Sequence, residues 1–285
     1  MEKKIFVLTE DMSFFFRLNK ELTYRNISFK ILNIRNKIPE FGALILTTCE
    51  EFDKYNLHNL KIDILAYDRK QIFENFIIKF LAAYKIGYKD QYSELTFSID
   101  PGTKHIGLVV FLDDYFFISH TVYDNKVLLK KVKNYIEFFQ NNDESLIKLN
   151  FKFGRGVLPV AYNLISQIFN IYKYRKNMRV FLIDELNSSK IKICDNSEKK
   201  IPKDEASALI LALRDGIEVS KTNYKKIFNQ IKSKKLSMNK FLKENFHINN
   251  ELTLTLREIV QKVLKGKITL TESKDLITKM LKTPK

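Results

Sequence analysis

The sequence predicts an α/β protein in which a mixed sheet flanked by helices follows a small α/β domain and precedes a basic helical segment. Three observations carry this. Apolar runs of strand length alternate with stretches of helical period over residues 1–90. A second series then opens with consecutive strand-like runs before alternation resumes, and most of the net positive charge collects beyond residue 220.

In the first series, Lys4–Thr9, Ser28–Ile34, Ala43–Thr48 and Ile62–Tyr67 read as strands. Asp11–Arg25 reads as a helix capped by Asp11, with Phe15, Leu18 and Leu22 on one face. Lys70–Tyr84 is a second helix with an apolar stripe of Ile72, Phe73, Phe76, Ile77, Phe80 and Leu81. The layout resembles a response-regulator receiver domain, with Glu10 and Asp11 where that family keeps its acidic pair. Thr47-Thr48 stands where the phosphoacceptor aspartate would end the third strand, so the resemblance implies a degenerate receiver serving as an interaction or dimerisation module. Periodicity lapses over Lys85–Ser93, which sets the boundary of a domain over 1–90.

The second series gives strands at Leu95–Asp100, Ile106–Leu112 and Tyr115–Val122, with Asp113-Asp114 as the hairpin turn between the last two. Lys126–Gln140 is an amphipathic helix, Leu146–Phe151 a strand, Pro159–Tyr172 a helix and Met178–Glu185 a strand. Lys203–Glu218 reads as a helix with Ala206, Leu209, Ile210 and Leu213 on one face, which closes a domain over 91–220. Residues 221–285 read as helical, divided by Gly266, with Thr269 and Glu272 at capping-box spacing before a stripe of Leu276, Ile277, Met280 and Leu281. Asn141–Glu144 and Asn187–Lys200 are read as loops.

Composition narrows the function. At 285 residues and 45% hydrophobic, the chain can bury a sizeable core. No apolar run reaches the ~20 residues that cross a bilayer. Met1–Ile5 does not open a secretory signal, so a cytoplasmic protein without a membrane partner is expected. Cys49 and Cys194 stand alone, which indicates neither a zinc site nor a disulfide framework. Of the formal charge of +16, +11 lies in residues 221–285, the electrostatic footprint of nucleic-acid binding. A solvated lysine-rich face or an acidic protein partner is the alternative reading of that charge.

Three acidic motifs point to chemistry on a polyanion. Asp100 ends an apolar strand and is followed at once by a Pro-Gly turn that leaves backbone room for a phosphate or metal, although Asp-Pro-Gly alone is a common turn. Asp184 and Glu185 end another strand, and alternation aims their side chains apart, so one of them, taken here as Glu185, faces the site. Asp204 opens a helix whose Ala206, Ser207 and Ala208 permit close approach to the sheet, and helix stabilisation is the competing reason for an acid there. Hydrolysis of a phosphodiester by two metals needs several hard oxygen ligands on rigid elements, with ions about 4 Å apart.

In order and local sequence, IDPGTKHIG, IDELNSS and KDEASALILAL resemble the three motifs of RNase H-like nucleases of the RuvC class, and within it the YqgF/RuvX branch. The resemblance covers about residues 94–220. It implies Asp100, Glu185 and Asp204 as catalytic metal ligands and Mg²⁺ or Mn²⁺ as cofactor. Leu186 stands where that branch carries arginine, and Ser207 where junction resolvases carry a second helix aspartate. Substrate contacts are expected from Lys104, from Lys152 and Arg155 around the Gly154–Gly156 loop, from Lys176 in the Lys173–Arg179 cluster, and from Lys225, Lys226, Lys234 and Lys235.

The leading expectation is a metal-dependent nuclease for structured nucleic acid, resolvase-like or RNA-processing. A homodimer would suit a junction with two equivalent cuts, and residues 1–90 could take a protein partner. The alternatives are a catalytically silent nucleic-acid-binding scaffold and, from the Asp-Pro-Gly-Thr loop, an actin-like ATPase or kinase. The basic segment is expected to be removable with the sheet intact.

Overall fold

The computed structural model describes residues 4–33, 42–87, 89, 91–140, 147–185, 201–233 and 250–282. The loops expected at 141–144 and 187–200, with Lys234, Lys235 and the side chain of Leu281, lie outside them. The chain divides into two compact units, 1–90 and 91–285.

The first unit holds β1 (Lys4–Val7), α1 (Met12–Tyr24), β2 (Lys30–Ile31), β3 (Ala43–Thr48), α2 (Cys49–Lys54), β4 (Asp63–Tyr67) and α3 (Phe73–Lys85). Its strands are parallel in the order β2-β1-β3-β4. Of the strand expected over Ser28–Ile34, the exposed pair Lys30 and Ile31 forms β2 opposite Phe6 and Val7, and Ile34 lies outside the described residues. The rings of Phe14, Tyr67, Phe73 and Phe76 stack between α1 and α3. Asp11 caps α1 through the Ser13 and Phe14 N–H groups and pairs with Arg69, while Glu10 pairs with Lys54.

The helix α2 escaped sequence reading because six residues are too few to show a period. Thr48 caps it in a capping box with Glu51. The buried Glu51 carboxylate also accepts from the Glu10 N–H at 2.5 Å and from the Thr48 hydroxyl at 2.9 Å. It thereby fills the crevice between the carboxyl ends of β1 and β3, the switch point where open parallel sheets take ligands.

The second unit has a six-stranded mixed sheet in the order β10-β9-β8-β5-β6-β7. Its strands are β5 (Glu94–Pro101), β6 (Ile106–Leu112), β7 (Tyr115–Val122), β8 (Lys148–Gly154), β9 (Met178–Ile183) and β10 (Gly216–Val219). The helices are α4 (Asn125–Gln140), α5 (Leu158–Ile171), α6 (Lys203–Ala212), α7 (Tyr224–Lys232), α8 (Asn250–Leu264) and α9 (Leu270–Lys282). The helix expected over Lys203–Glu218 stops at Ala212, and Gly216–Val219 instead pairs antiparallel with β9. A Cβ on Gly216 would lie 2.5 Å from the Leu182 carbonyl oxygen, so glycine is what admits this edge strand.

The basic segment is not a detachable tail. Leu256, Val260, Val263 and Leu270 share one buried cluster with Val109, Phe111 and the α6 residues Ala206, Leu209 and Ile210. Tyr224 and Phe228 of α7 pack their rings on Tyr162 and Phe169 of α5. Asp114, in the hairpin turn, accepts the Leu270 N–H on its carbonyl and the Thr271 N–H on its carboxylate, which pins the start of α9 to the sheet. Thr269 and Glu272 complete the capping box there. Burying one Leu or Val contributes about 1.5–3 kcal/mol, so truncation after residue 220 removes more than a domain's usual margin. The truncated protein is expected to lose cooperative thermal unfolding of the second unit, followed by circular dichroism.

Candidate active site

The parallel run of β5, β8 and β9 brings three carboxyl ends to one edge of the sheet. Register sets Ile99 opposite Phe153 and Phe153 opposite Leu182, and Asp100 and Glu185 both project beyond that row. Ser98 and Asp100 share a face by alternation. The Ser98 hydroxyl donates to the Ala208 carbonyl at 2.7 Å, so this face looks at α6. The buried Ser207 hydroxyl, on the same helix, hydrogen-bonds the Asp100 carboxylate.

Asp204 sits in the first turn of α6. Gly107 pairs with Asp100 across β5 and β6. A Cβ on Gly107 would overlap the Asp204 carbonyl oxygen and lie 3.1 Å from the Glu205 nitrogen, so the helix start rests directly on the strand beside Asp100. Glu205 holds that seat by accepting from the Ser119 and Thr121 hydroxyls, at 2.5 and 2.9 Å. The Asp204 carboxylate lies 3.6 Å from His105 Nδ1.

β9 and β5 are separated by β8, a gap of about 10 Å. Glu185 crosses part of it by lying over two glycines. A Cβ on Gly154 would be 2.9 Å from Glu185 Cδ, one on Gly156 2.6 Å from it, and both would overlap a carboxylate oxygen. The Gly156 N–H donates to Oε1 at 2.8 Å. These glycines, expected from the sequence to give a phosphate-facing loop, are a berth for a carboxylate. Gly154→Ala is expected to cost no more than about 2 kcal/mol, because the Cβ meets side-chain ends alone: Glu185, which can swing aside, and a Leu211 methyl, which must shift slightly. It should nevertheless displace the Glu185 carboxylate from the Gly156 N–H. Thermal melts and the amide resonance of Gly156 in the same preparation measure both.

The electrostatics follow from this crowding. Burial pushes the Asp100 carboxyl up to about 7, with the charges of Glu185 and then Asp204 adding to the shift and the Ser207 bond and Lys203 opposing it. Burial also raises Glu185, against the Gly156 N–H that favours its ionised form. Among the described residues, no three His, Cys, Asp or Glu side chains are gathered closely enough to hold a metal together.

Other expected contacts fall differently. Lys152 is only 5% exposed, and its ammonium donates to the carbonyls of Ala212 and Arg214 at the end of α6, so it does not reach substrate. Strand alternation turns it towards the helix, whose carboxyl end supplies acceptors, and burial holds its pKa well below that of an ordinary lysine. Arg155 is paired with the Asp184 carboxylate, and Arg214 donates to the Asp184 carbonyl at 2.7 Å. Lys176 precedes β9 and lies at the opposite edge of the sheet, about 20 Å along the strand from Glu185. Lys104 is exposed on the turn after β5, and Lys225 and Lys226 are exposed on α7. Ser207, Lys203 and Gly107 complete the site. Their contributions are contacts between distant segments, and the local signal that hinted at them is the run of small residues opening α6.

No protein-family model matches the sequence, and no curated protein matches it. Among solved structures, the chain is similar to RuvC of Thermus thermophilus at 11% identity and a TM-score of 0.25, over 41% of this chain and 76% of that one. It is also similar to Aa-Ago, solved with externally bound siRNA, at 11% identity and a TM-score of 0.27, over 80% of this chain and 48% of that one. An exopolyphosphatase from Cytophaga hutchinsonii is similar at 10% identity and a TM-score of 0.13, over 57% and 55% of the two chains. Scores this low establish neither a family nor an activity for this chain, whose site rests on its own residues.

Proposed function

We propose that residues 91–285 form a divalent-metal-dependent nuclease for structured nucleic acid, an RNase H-like unit nearest the YqgF/RuvX branch, with residues 1–90 as an interaction module. The observation that carries this reading is the placement of Asp100 at the end of β5 beside Gly107, on which the helix start bearing Asp204 rests, with Glu185 reaching over Gly154 and Gly156 towards the same edge. Acids set against one another at a sheet edge favour a hard dication, and Asp100, Glu185 and Asp204 are the residues that would hold Mg²⁺ or Mn²⁺. When bound, such an ion polarises the phosphodiester and lets the carboxylates ionise together.

The chain's own residues do the rest. Ser207 orients Asp100, the Gly156 N–H holds Glu185, and Arg155 with Arg214 fixes the strand end that carries it. Lys104 and Lys203 bring positive charge to the same edge for the phosphate backbone. The absence of a three-donor cluster among the described residues favours a second reading, a scaffold that binds without cutting. Purified protein tested with Mg²⁺ or Mn²⁺ on four-way junctions, flaps, R-loops, duplexes and structured RNA separates the two. The nuclease reading expects cleavage that needs metal and is lost in Glu185→Gln. Substrates retained but uncut under every metal condition support the scaffold.

Lys225→Gln with Lys226→Gln tests the basic segment without touching its core, since both side chains are exposed on α7. The double variant is expected to shallow the slope of log affinity against log salt by about 1–2, with unfolding unchanged. An unchanged slope assigns α7 to a protein contact.

A further inference from the structure

We infer that Tyr123, braced by His105, is a stacking platform for an unpaired nucleobase of single-stranded nucleic acid entering the carboxylate edge. The inference rests on the nuclease reading for the identity of that edge. It concerns an aromatic ring after β7 that belongs to none of the three acidic motifs.

β7 is parallel to β5, because each is antiparallel to β6, so β7 ends at the edge where Asp100 lies. Tyr123 follows its last residue. Ile106 pairs with Val122, which puts His105 beside Tyr123 across the two strand ends. The two rings meet edge to face, with centroids 5.0 Å apart and planes at 90°. His105 in turn stands 3.6 Å from the Asp204 carboxylate. One imidazole therefore separates the phenol ring from a proposed metal ligand.

Tyr123 is 75% exposed, so its ring, met by His105, is otherwise largely open to water. An aromatic face held in place beside a cleavage site and open to water suits a base, and every base offers a π-face. The charge around it is complementary to a nucleic-acid backbone. Lys104 is exposed on one side, and Lys126 and Lys130 are exposed at i, i+4 on α4, which starts two residues after Tyr123. Of the acids near the ring, Asp124 caps α4, accepting the Lys126 N–H at 3.1 Å, and Asp204 faces His105. A continuous duplex keeps its bases stacked and offers none to the ring, so the platform selects gaps, flaps, loops and single strands.

The test reads binding without metal, in EDTA, so that it does not depend on cleavage. Single-stranded DNA and RNA oligonucleotides carrying 2-aminopurine are titrated with wild type, Tyr123→Phe and Tyr123→Ala, with a blunt duplex of equal length as the comparison. Stacking on one ring is worth about tenfold in affinity or more. Tyr123→Ala is expected to lose at least that on single strands, together with the 2-aminopurine quenching, and to bind duplex as before. Tyr123→Phe should stay within about twofold of wild type, since the ring carries the stacking. Tyr174→Ala is the control, because Tyr174 is 84% exposed beside Lys173 before β9, at the far edge.

Equal single-strand affinity in wild type and Tyr123→Ala overturns the platform, as does equal loss in Tyr174→Ala, equal loss on duplex, or failure of wild type to bind single strands. The DNA and RNA arms show which strand the ring takes. A protein that passes this test but never cuts loses the nuclease reading and keeps the platform. One that cuts with undiminished single-strand binding in Tyr123→Ala loses the platform alone.

Discussion

Asn in place of Asp100 is expected to lower metal-dependent cleavage by about three powers of ten, the scale of a lost carboxylate ligand. Nucleic-acid binding should persist, because the exposed lysines that supply it are elsewhere. The same variant has an opposite effect on the metal-free fold. The folded protein holds the Asp100 proton up to about 7, against 3.8 ordinarily, so the proton is released more readily on unfolding. Wild type therefore loses stability as pH rises from about 4 to about 7 and stays lower above that. Asp100→Asn has no such proton to lose. At pH 8 it should melt higher than wild type, by at most about 4 kcal/mol in stability, and the gap should close below pH 4. Thermal melts across that range in EDTA check the sign. A variant that is less stable than wild type at pH 8 would show that Asp100 is a structural acceptor.

Gly107→Ala carries the second large effect. The added Cβ meets backbone, the Asp204 carbonyl oxygen and the Glu205 nitrogen, and no rotamer change can relieve it. Either β6 or the start of α6 must move, at a cost of about 3 kcal/mol. Glu205 would be drawn from Ser119 and Thr121, and Asp204 from its place beside Asp100. Cleavage should fall with stability, whereas Gly154→Ala lowers cleavage and spares most of the stability. Melting temperature and single-turnover rate measured on both variants check this difference. It follows from what each Cβ strikes, backbone in one case and the end of a side chain in the other.

The acidic positions were legible because strand ends and helix starts leave local marks: an apolar run closed by an acid, or an acid followed by small residues. Asp100, Glu185 and Asp204 could be placed on elements from those marks alone. Lys152 could not. Phe151-Lys152-Phe153 reads equally as a strand entering a loop, and the carbonyls that hold its ammonium lie about 60 residues away in sequence. Arg155 looked free for the same reason, since its partner Asp184 follows another strand, β9. β10 was hidden behind α6, whose apolar pattern runs on into Gly216–Val219. The C-terminal helices looked like a tail because charge dominates their composition, while Leu256, Val260 and Val263 at helical spacing carry their packing.

The most direct test of the account is Mn²⁺ binding, followed by electron paramagnetic resonance of the free ion, in the full-length protein without nucleic acid. Wild type is expected to bind Mn²⁺ in competition with Mg²⁺. Asp100→Asn, Glu185→Gln and Asp204→Asn should each lose that binding while remaining folded. Binding that all three variants retain, or a wild type that binds no Mn²⁺, would contradict a shared metal site built from these carboxylates.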